Sequence, residues 1–175
     1  DGYHRFYEYE YVLTGVAPTR PLYISVTAFD YGSRTHYLSS LESSPLLNAQ
    51  LAYPLTSAEE VEERGLEVYV YPNPYRIDGG YARAGYENRD RTRSAERTRM
   101  VHFANLPHEC TIRIFTIDGD LVKEINHSHP PGSPTAQEES WNLISRNTQS
   151  IMTGIYIWSV ESAMGSQLGK LVVIK

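Results

Sequence analysis

From Leu22 the chain reads LYISVTAFD, with Leu22, Ile24, Val26 and Ala28 on one parity and Tyr23, Ser25, Thr27 and Phe29 on the other. A period of two marks a β-strand, whose successive side chains point to opposite faces. The same alternation recurs along most of the chain, in short runs of β-branched and aromatic residues broken by Gly, Pro, Asn and Asp. In the first region it predicts strands at FYEYEYVL (6–13), LYISVTAFD (22–30) and around SSPLLNAQLAYP (43–54). The second region is richer. It predicts strands at LEVYVYP (66–72), RMVHFANLP (99–107), CTIRIFTI (110–117), DLVKEINH (120–127), SWNLIS (140–145), GIYIWSVES (154–162) and QLGKLVVIK (167–175). A two-sheet sandwich needs roughly seven strands to close its core. The expected fold class is therefore all-β, with two sandwich modules: residues 66–175 complete, residues 1–55 only the last three strands of one.

Helical periodicity is nearly absent. In TSAEEVEERG, Thr56 or Ser57 is placed to cap a turn or two, with Glu59, Glu60, Glu62 and Glu63 close behind. Being short and polar, residues 56–65 read as an acidic connector. Beyond the first strand of the second module come Pro72, Asn73 and Pro74, two residues without an N–H around one that can bond its own backbone, and then Gly79-Gly80, which permits a sharp reversal. These predict a structural corner. Asp118 and Gly119, set between two alternating runs and tolerant of the positive φ of a primed turn, predict a hairpin.

Composition changes this picture little. With 41% hydrophobic and 11% aromatic residues and a formal charge of -5, the chain has enough apolar content for a packed core and an ordinary polar surface. No apolar run approaches the roughly 20 residues of a membrane helix, so no membrane span is expected. The opening DGYHRFYEYEY has neither the charged start nor the apolar middle of a signal peptide, so any export signal is expected upstream. The single cysteine, Cys110, lies in an alternating apolar segment and reads as a buried thiol.

The sequence contains no GxxxxGK[ST], GxGxxG, HExxH, CxxC or GxSxG, so neither catalysis nor a cofactor is expected. His127 and His129, beside Pro130-Pro131, offer two imidazoles, but a strand running into a Pro-rich loop explains them without a metal. Asp118 and Asp120 lack the further acidic positions of a calcium loop. Asn126-His127-Ser128 matches a glycosylation sequon, which by itself assigns no function. In and around the stretch 76–98, Arg76, Arg83, Arg89, Arg91, Arg93, Arg97 and Arg99 are interleaved with Tyr75, Tyr81 and Tyr86, a pattern that can hold a polyanion. Asp78, Glu87, Asp90 and Glu96 alternate with them, so the stretch reads as an ordered loop bracing the two modules, with no nucleic-acid partner.

Two resemblances add to this reading. L-T-G-V-x-P at 13–18, Pro21-Leu22-Tyr23-x-x-Val26-x-Ala28 and Asp30-Tyr31-Gly32 resemble the last three strands of a fibronectin type III domain. The second region resembles the C-terminal immunoglobulin-like sorting domain of the type IX secretion system and the related domain of the flagellar hook-capping protein. The residues that carry this are Tyr71-Pro72-Asn73-Pro74, Val101 to Pro107, Ile112 to Val122, Trp141, Thr153-Gly154-Ile155-Tyr156 and Lys170 to Lys175. This sequence departs from the family in the insertion at 76–98 and in Gly119-Asp120, where Gly-Gln is usual. The resemblance implies a non-catalytic tail of a larger bacterial protein, secreted or held at the cell surface after crossing the periplasm. Its partners would be upstream cargo domains and outer-membrane secretion machinery, with recognition at Gly154, Tyr156, Lys170 and Lys175. The alternative is an assembly module that binds a protein, a glycan or another copy of itself through open β edges or the Arg/Tyr-rich loop.

Overall fold

Strands dominate the computed structural model, which describes residues 11, 13, 22–52, 54, 56–87, 98–133 and 135–175. The chain divides into two units, Asp1–Pro54 and Leu55–Lys175. Apart from Tyr11 and Leu13, the strand expected at 6–13 and the L-T-G-V-x-P stretch lie outside the described residues.

In the first unit β1 (Leu22–Ile24) pairs antiparallel with β2 (Gln50–Ala52), Leu22 opposite Ala52 and Ile24 opposite Gln50. Both strands are shorter than the alternation predicts. Past Ile24, polar side chains take up backbone groups: the Ser25 hydroxyl donates to the Pro45 carbonyl and the Asn48 amide donates to the Val26 carbonyl. A 3-10 turn at Pro45–Leu47 breaks the 43–54 run.

The second unit opens with α1 (Ala58–Arg64), capped by Ser57 Oγ accepting from Glu60 N–H and ended by Gly65 at φ 60°. Ala58 and Val61, three residues apart on one face, are each 1% exposed. The segment expected to be an acidic connector thus buries one face in its unit, while Glu59 and Glu62 reach His108 and Glu60 and Glu63 are exposed.

Every one of the seven predicted runs contains a strand. They are β3 (Tyr69–Tyr71), β5 (Val101–Ala104), β6 (Glu109–Thr116), β7 (Leu121–Ser128), β8 (Glu138–Trp141), β9 (Gly154–Ser162) and β10 (Gly165–Ile174), joined by a short β4 (Tyr75–Arg76). One sheet has the order β4-β10-β9-β6-β7 and the other β3-β5-β8. Their inner faces form one core. Phe103 of the small sheet meets Trp158 of the large one edge to face at 5.9 Å, among Val101, Ile112, Ile114, Trp141, Leu171 and Val173. The SWNLIS run stops being a strand after Trp141 because buried Leu143 takes φ 59° and turns the chain away.

The corner is a change of sheet. β3 belongs to the small sheet, whereas β4 runs parallel to β10 in the large one, with Tyr75 opposite Val173. The peptide bonds before Pro72 and Pro74 are both cis. The Asn73 side chain, expected to bond its own backbone, bonds β10 instead: Nδ2 donates to the Lys170 carbonyl at 2.8 Å and Oδ1 accepts from Val172 N–H at 3.1 Å. At the β6–β7 hairpin the expected primed turn is replaced by a three-residue loop. Thr116 accepts from Gly119 N–H, only Gly119 has positive φ (94°), and the register slips between Ile114 and Phe115. That is a type I turn closed by a left-handed glycine and a bulge.

The described part of the 76–98 insertion folds back on its own unit. α2 (Tyr81–Ala84) places the Tyr81 hydroxyl on the Pro74 carbonyl, and Tyr75 donates to Glu87. Arg76 pairs with Asp78. Arg89, Arg91, Arg93 and Arg97, which carry much of the expected bracing, lie outside the described residues. Cys110 is buried and free.

Candidate functional site

The four residues carried over from the sorting-domain resemblance fall on or beside the hairpin β9–β10. Its two strands are in continuous antiparallel register from Gly165 opposite Ser162 to Val173 opposite Gly154. Period two divides the hairpin into two faces. Tyr156, Trp158, Val160, Leu171 and Val173 are buried in the core, with Gly169 opposite Trp158. Ile155, Ile157, Glu161, Leu168, Lys170 and Val172 point the other way, and Ile155 and Leu168 are 46% and 76% exposed. Arg113 of β6 pins this outer face by donating to Glu124 of β7 at 2.7 Å and to Glu161 of β9 at 2.6 Å.

Lys170 is exposed on that face. Lys175, also exposed, is held at its backbone, where its N–H donates to Thr153 Oγ1 at 2.9 Å, and at its ammonium, which donates to Ser150. Partial burial, and after it the charge of Arg99, lowers the Lys175 pKa. Tyr156 does not face solvent. It is a core residue whose hydroxyl donates to the Met152 carbonyl at 2.9 Å and whose burial raises the phenol pKa, so its place in the motif is a packing requirement. Gly154 has no positive φ, and a Cβ there would meet only the Tyr156 ring at 3.9 Å. Nothing in the structure requires glycine at 154. Sequence reasoning passed over Ile155 and Leu168, although the parity of their strands already placed them opposite the core.

A second group of side chains lies on the other margin of the sandwich. β8 sends two adjacent carboxylates to two buried histidines. Glu138 Oε1 is 2.6 Å from His102 Nδ1, and Glu139 Oε2 is 3.0 Å from His127 Nδ1. His102 stacks on Tyr71 at 5.0 Å, and Tyr71 donates to the same Glu138 oxygen. His127 is joined by His129, ring centroids 4.6 Å apart. His127, His129 and Glu139 bring their ligand atoms within 4.8 Å of one another, so the two sequence-spaced imidazoles gain a third donor that no local spacing reveals. Below them an open cleft of about 400 Å³ is lined by Glu62, His108, His129, Pro131 and Met164 among others.

No family profile matches the chain, and no curated protein does. Among solved structures it is similar to PorZ, described as an essential bacterial surface component of the type-IX secretion system of Porphyromonas gingivalis. The identity is 22% over 71% of this chain and 14% of that one, with a TM-score of 0.44. It is also similar to dimeric latent PorU of the same organism, with 16% identity over 91% of this chain and 12% of that one and a TM-score of 0.37. The chain thus spans a small part of either protein. Overlaps this loose carry no argument about function, which rests on the chain's own residues.

Proposed function

We propose that the second unit is a non-catalytic sorting module: a folded handle by which outer-membrane secretion machinery recognises a larger bacterial protein and delivers it outside the cell. The observation that carries the reading is the gathering of the motif residues Thr153 to Tyr156 and Lys170 to Lys175 at one end of a single hairpin. Its outer face offers Ile155, Leu168 and Lys170 to a partner. Part of the motif builds the hairpin and part is presented by it. Tyr156 serves the first role, Lys170 the second. No helix among the described residues is long and apolar enough to cross a membrane.

The test is an export assay in a bacterium that has type IX machinery. Residues 55–175 are fused behind a signal peptide and a folded reporter, beside a version carrying Ile155→Ser, Leu168→Ser and Lys170→Glu. All three positions are exposed, so the variant keeps its core. Reporter outside the cell with the native face and in the periplasm with the altered face is the expected result. Reporter retained in the periplasm by both would overturn the sorting reading.

A second reading, assembly through exposed apolar surface, is favoured by the first unit, where Tyr23, Val26 and Phe29 are 80%, 75% and 61% exposed. A concentration-independent dimer in size exclusion, lost on Val26→Ser with Phe29→Ser, would support it.

A further inference from the structure

We propose that His127, His129 and Glu139 bind one divalent transition-metal ion, with zinc the best fit, and that the ion clips the two sheets together at one margin of the sandwich. β7 is the edge strand of the five-stranded sheet and β8 the edge strand of the three-stranded one. His127 lies on β7, Glu139 on β8, and His129 in the connection between them. Main-chain hydrogen bonds do not join these two strands, so a shared ion would supply the cross-link.

The contacts of His127 leave a place for a proton or a metal ion between its Nδ1 and Glu139. Its side chain is 0% exposed. Nε2 is 2.6 Å from the Ala136 carbonyl, and a carbonyl only accepts, so Nε2 carries the proton. In the neutral ring Nδ1 then holds a lone pair, and it faces a carboxylate oxygen at 3.0 Å. Two acceptors do not rest that close in a buried place unless a proton or a metal ion lies between them. A ring that donates one N–H to a backbone carbonyl and keeps its other nitrogen for the ion is also the arrangement that orients metal-ligating histidines.

What separates a metal from a proton is the third donor. His102 has the same predicament, with Nε2 2.7 Å from the Tyr86 carbonyl and Nδ1 2.6 Å from Glu138, but a tyrosine hydroxyl occupies the Glu138 oxygen and no second imidazole stands by. A proton is enough there. His108 has two carboxylates, yet they sit at opposite ring nitrogens, Glu59 at Nε2 and Glu62 at Nδ1, where one ion cannot touch both. Among the described residues only the His127 group brings three such donors to one point.

Two imidazoles and one carboxylate suit zinc and its neighbours rather than calcium or magnesium, which take oxygen ligands. Ligands about 2.0 to 2.1 Å from a tetrahedral ion stand roughly 3.3 Å apart. The present spread of up to 4.8 Å closes if His129 turns inward. His129 is only half-buried and free to do so, while its backbone stays fixed by its N–H donating to the His108 carbonyl. Water takes the fourth position.

The test uses the full, untagged chain, stripped with a chelator, dialysed and titrated calorimetrically with zinc sulfate. One equivalent should bind, and the melting temperature should rise with zinc. Cobalt(II) in place of zinc should give the intense visible absorption of a four-coordinate site. His129→Ala should keep the fold and weaken zinc binding by at least the roughly ten- to hundred-fold that loss of a supporting group costs. Glu139→Gln, which keeps an acceptor beside His127, should do the same. No saturable zinc uptake by the folded chain, or uptake unchanged in His129→Ala, would overturn the proposal and leave a proton in the hydrogen bond between His127 and Glu139.

Discussion

The side chain of Asn73 stands in for one rung of a β-ladder beside Val172, accepting its N–H at 3.1 Å while donating to the Lys170 carbonyl at 2.8 Å. This happens where the chain leaves one sheet for the other, and where Pro72 and Pro74 have no N–H to offer β10. Asn73→Ala removes both bonds. At about 1 kcal/mol for each, softened by water at this exposed position, the loss is about 1 to 2 kcal/mol, or a fall of roughly 3 to 8 °C in the melting temperature of the second unit. Calorimetry on Asn73→Ala and Asn73→Asp checks this. Asp keeps the acceptor and should fall between Ala and the native chain; equal stability of all three would refute the ladder role.

Gly169 makes room for Trp158. The two are cross-strand partners, and a Cβ built on Gly169 would come within 2.1 Å of the indole Cζ2. Because Trp158 is 5% exposed and braced by Phe103, it has little space to yield. Gly169→Ala should therefore cost about 1 to 3 kcal/mol by overpacking, with a red shift in tryptophan emission as the ring is pushed toward water. Trp158→Leu in the same chain should recover part of that loss. Additive effects of the two substitutions would mean the contact is not the cause.

The parts of this fold that were legible are those written in parity. In CTIRIFTI the buried Cys110, Ile112 and Ile114 alternate with Thr111 and Arg113, and β6 is where that pattern places it. Non-local features were hidden. β4 is two residues long and exists because β10, about a hundred residues away, offers it an edge. α1 looked like a connector because only Ala58 and Val61 carry its docking face. Tyr156 shares its motif with exposed residues, and only strand parity tells that it points inward. Glu139 was invisible as a ligand because His127 reaches it through the packing of two sheets.

Cys110 should be inert while the protein is folded. Burial, and after it the nearby Glu139 carboxylate, pushes the thiol up to about 12, so almost no thiolate exists at neutral pH. Labelling with an aromatic disulfide reagent should be negligible in native buffer and stoichiometric in denaturant. Rapid labelling of the native chain would contradict the burial of β6.

α1 is fastened to the rest of its unit by His108, and the fastening should have a pH optimum. Nδ1 of His108 lies 3.0 Å from Glu62 and Nε2 3.1 Å from Glu59, while Gly132 N–H donates to Glu59 and His108 N–H to Glu62. The hydrogen bond to Glu62, helped by Glu59, raises the His108 pKa above 6.5. A raised pKa contributes stability that is complete below 6.5 and lost as the pH climbs through the folded value. The carboxyl groups act in the opposite direction. Glu59 is lowered from 4.5 to about 2, first by its own backbone N–H and then by that of Gly132, and Glu62 is lowered chiefly by the His108 N–H. Their contribution is present above 4.5 and fades as the pH falls toward 2. The attachment of α1 should thus be firmest between about pH 4.5 and 6.5 and weaken on both sides. Amide exchange in α1, referenced to β6 so that intrinsic rates cancel, would show the optimum. His108→Gln should abolish the alkaline decline and leave part of the acid one. Protection of α1 that stays flat from pH 6 to 9 in the native chain would show that Ala58 and Val61 hold the helix without the clamp.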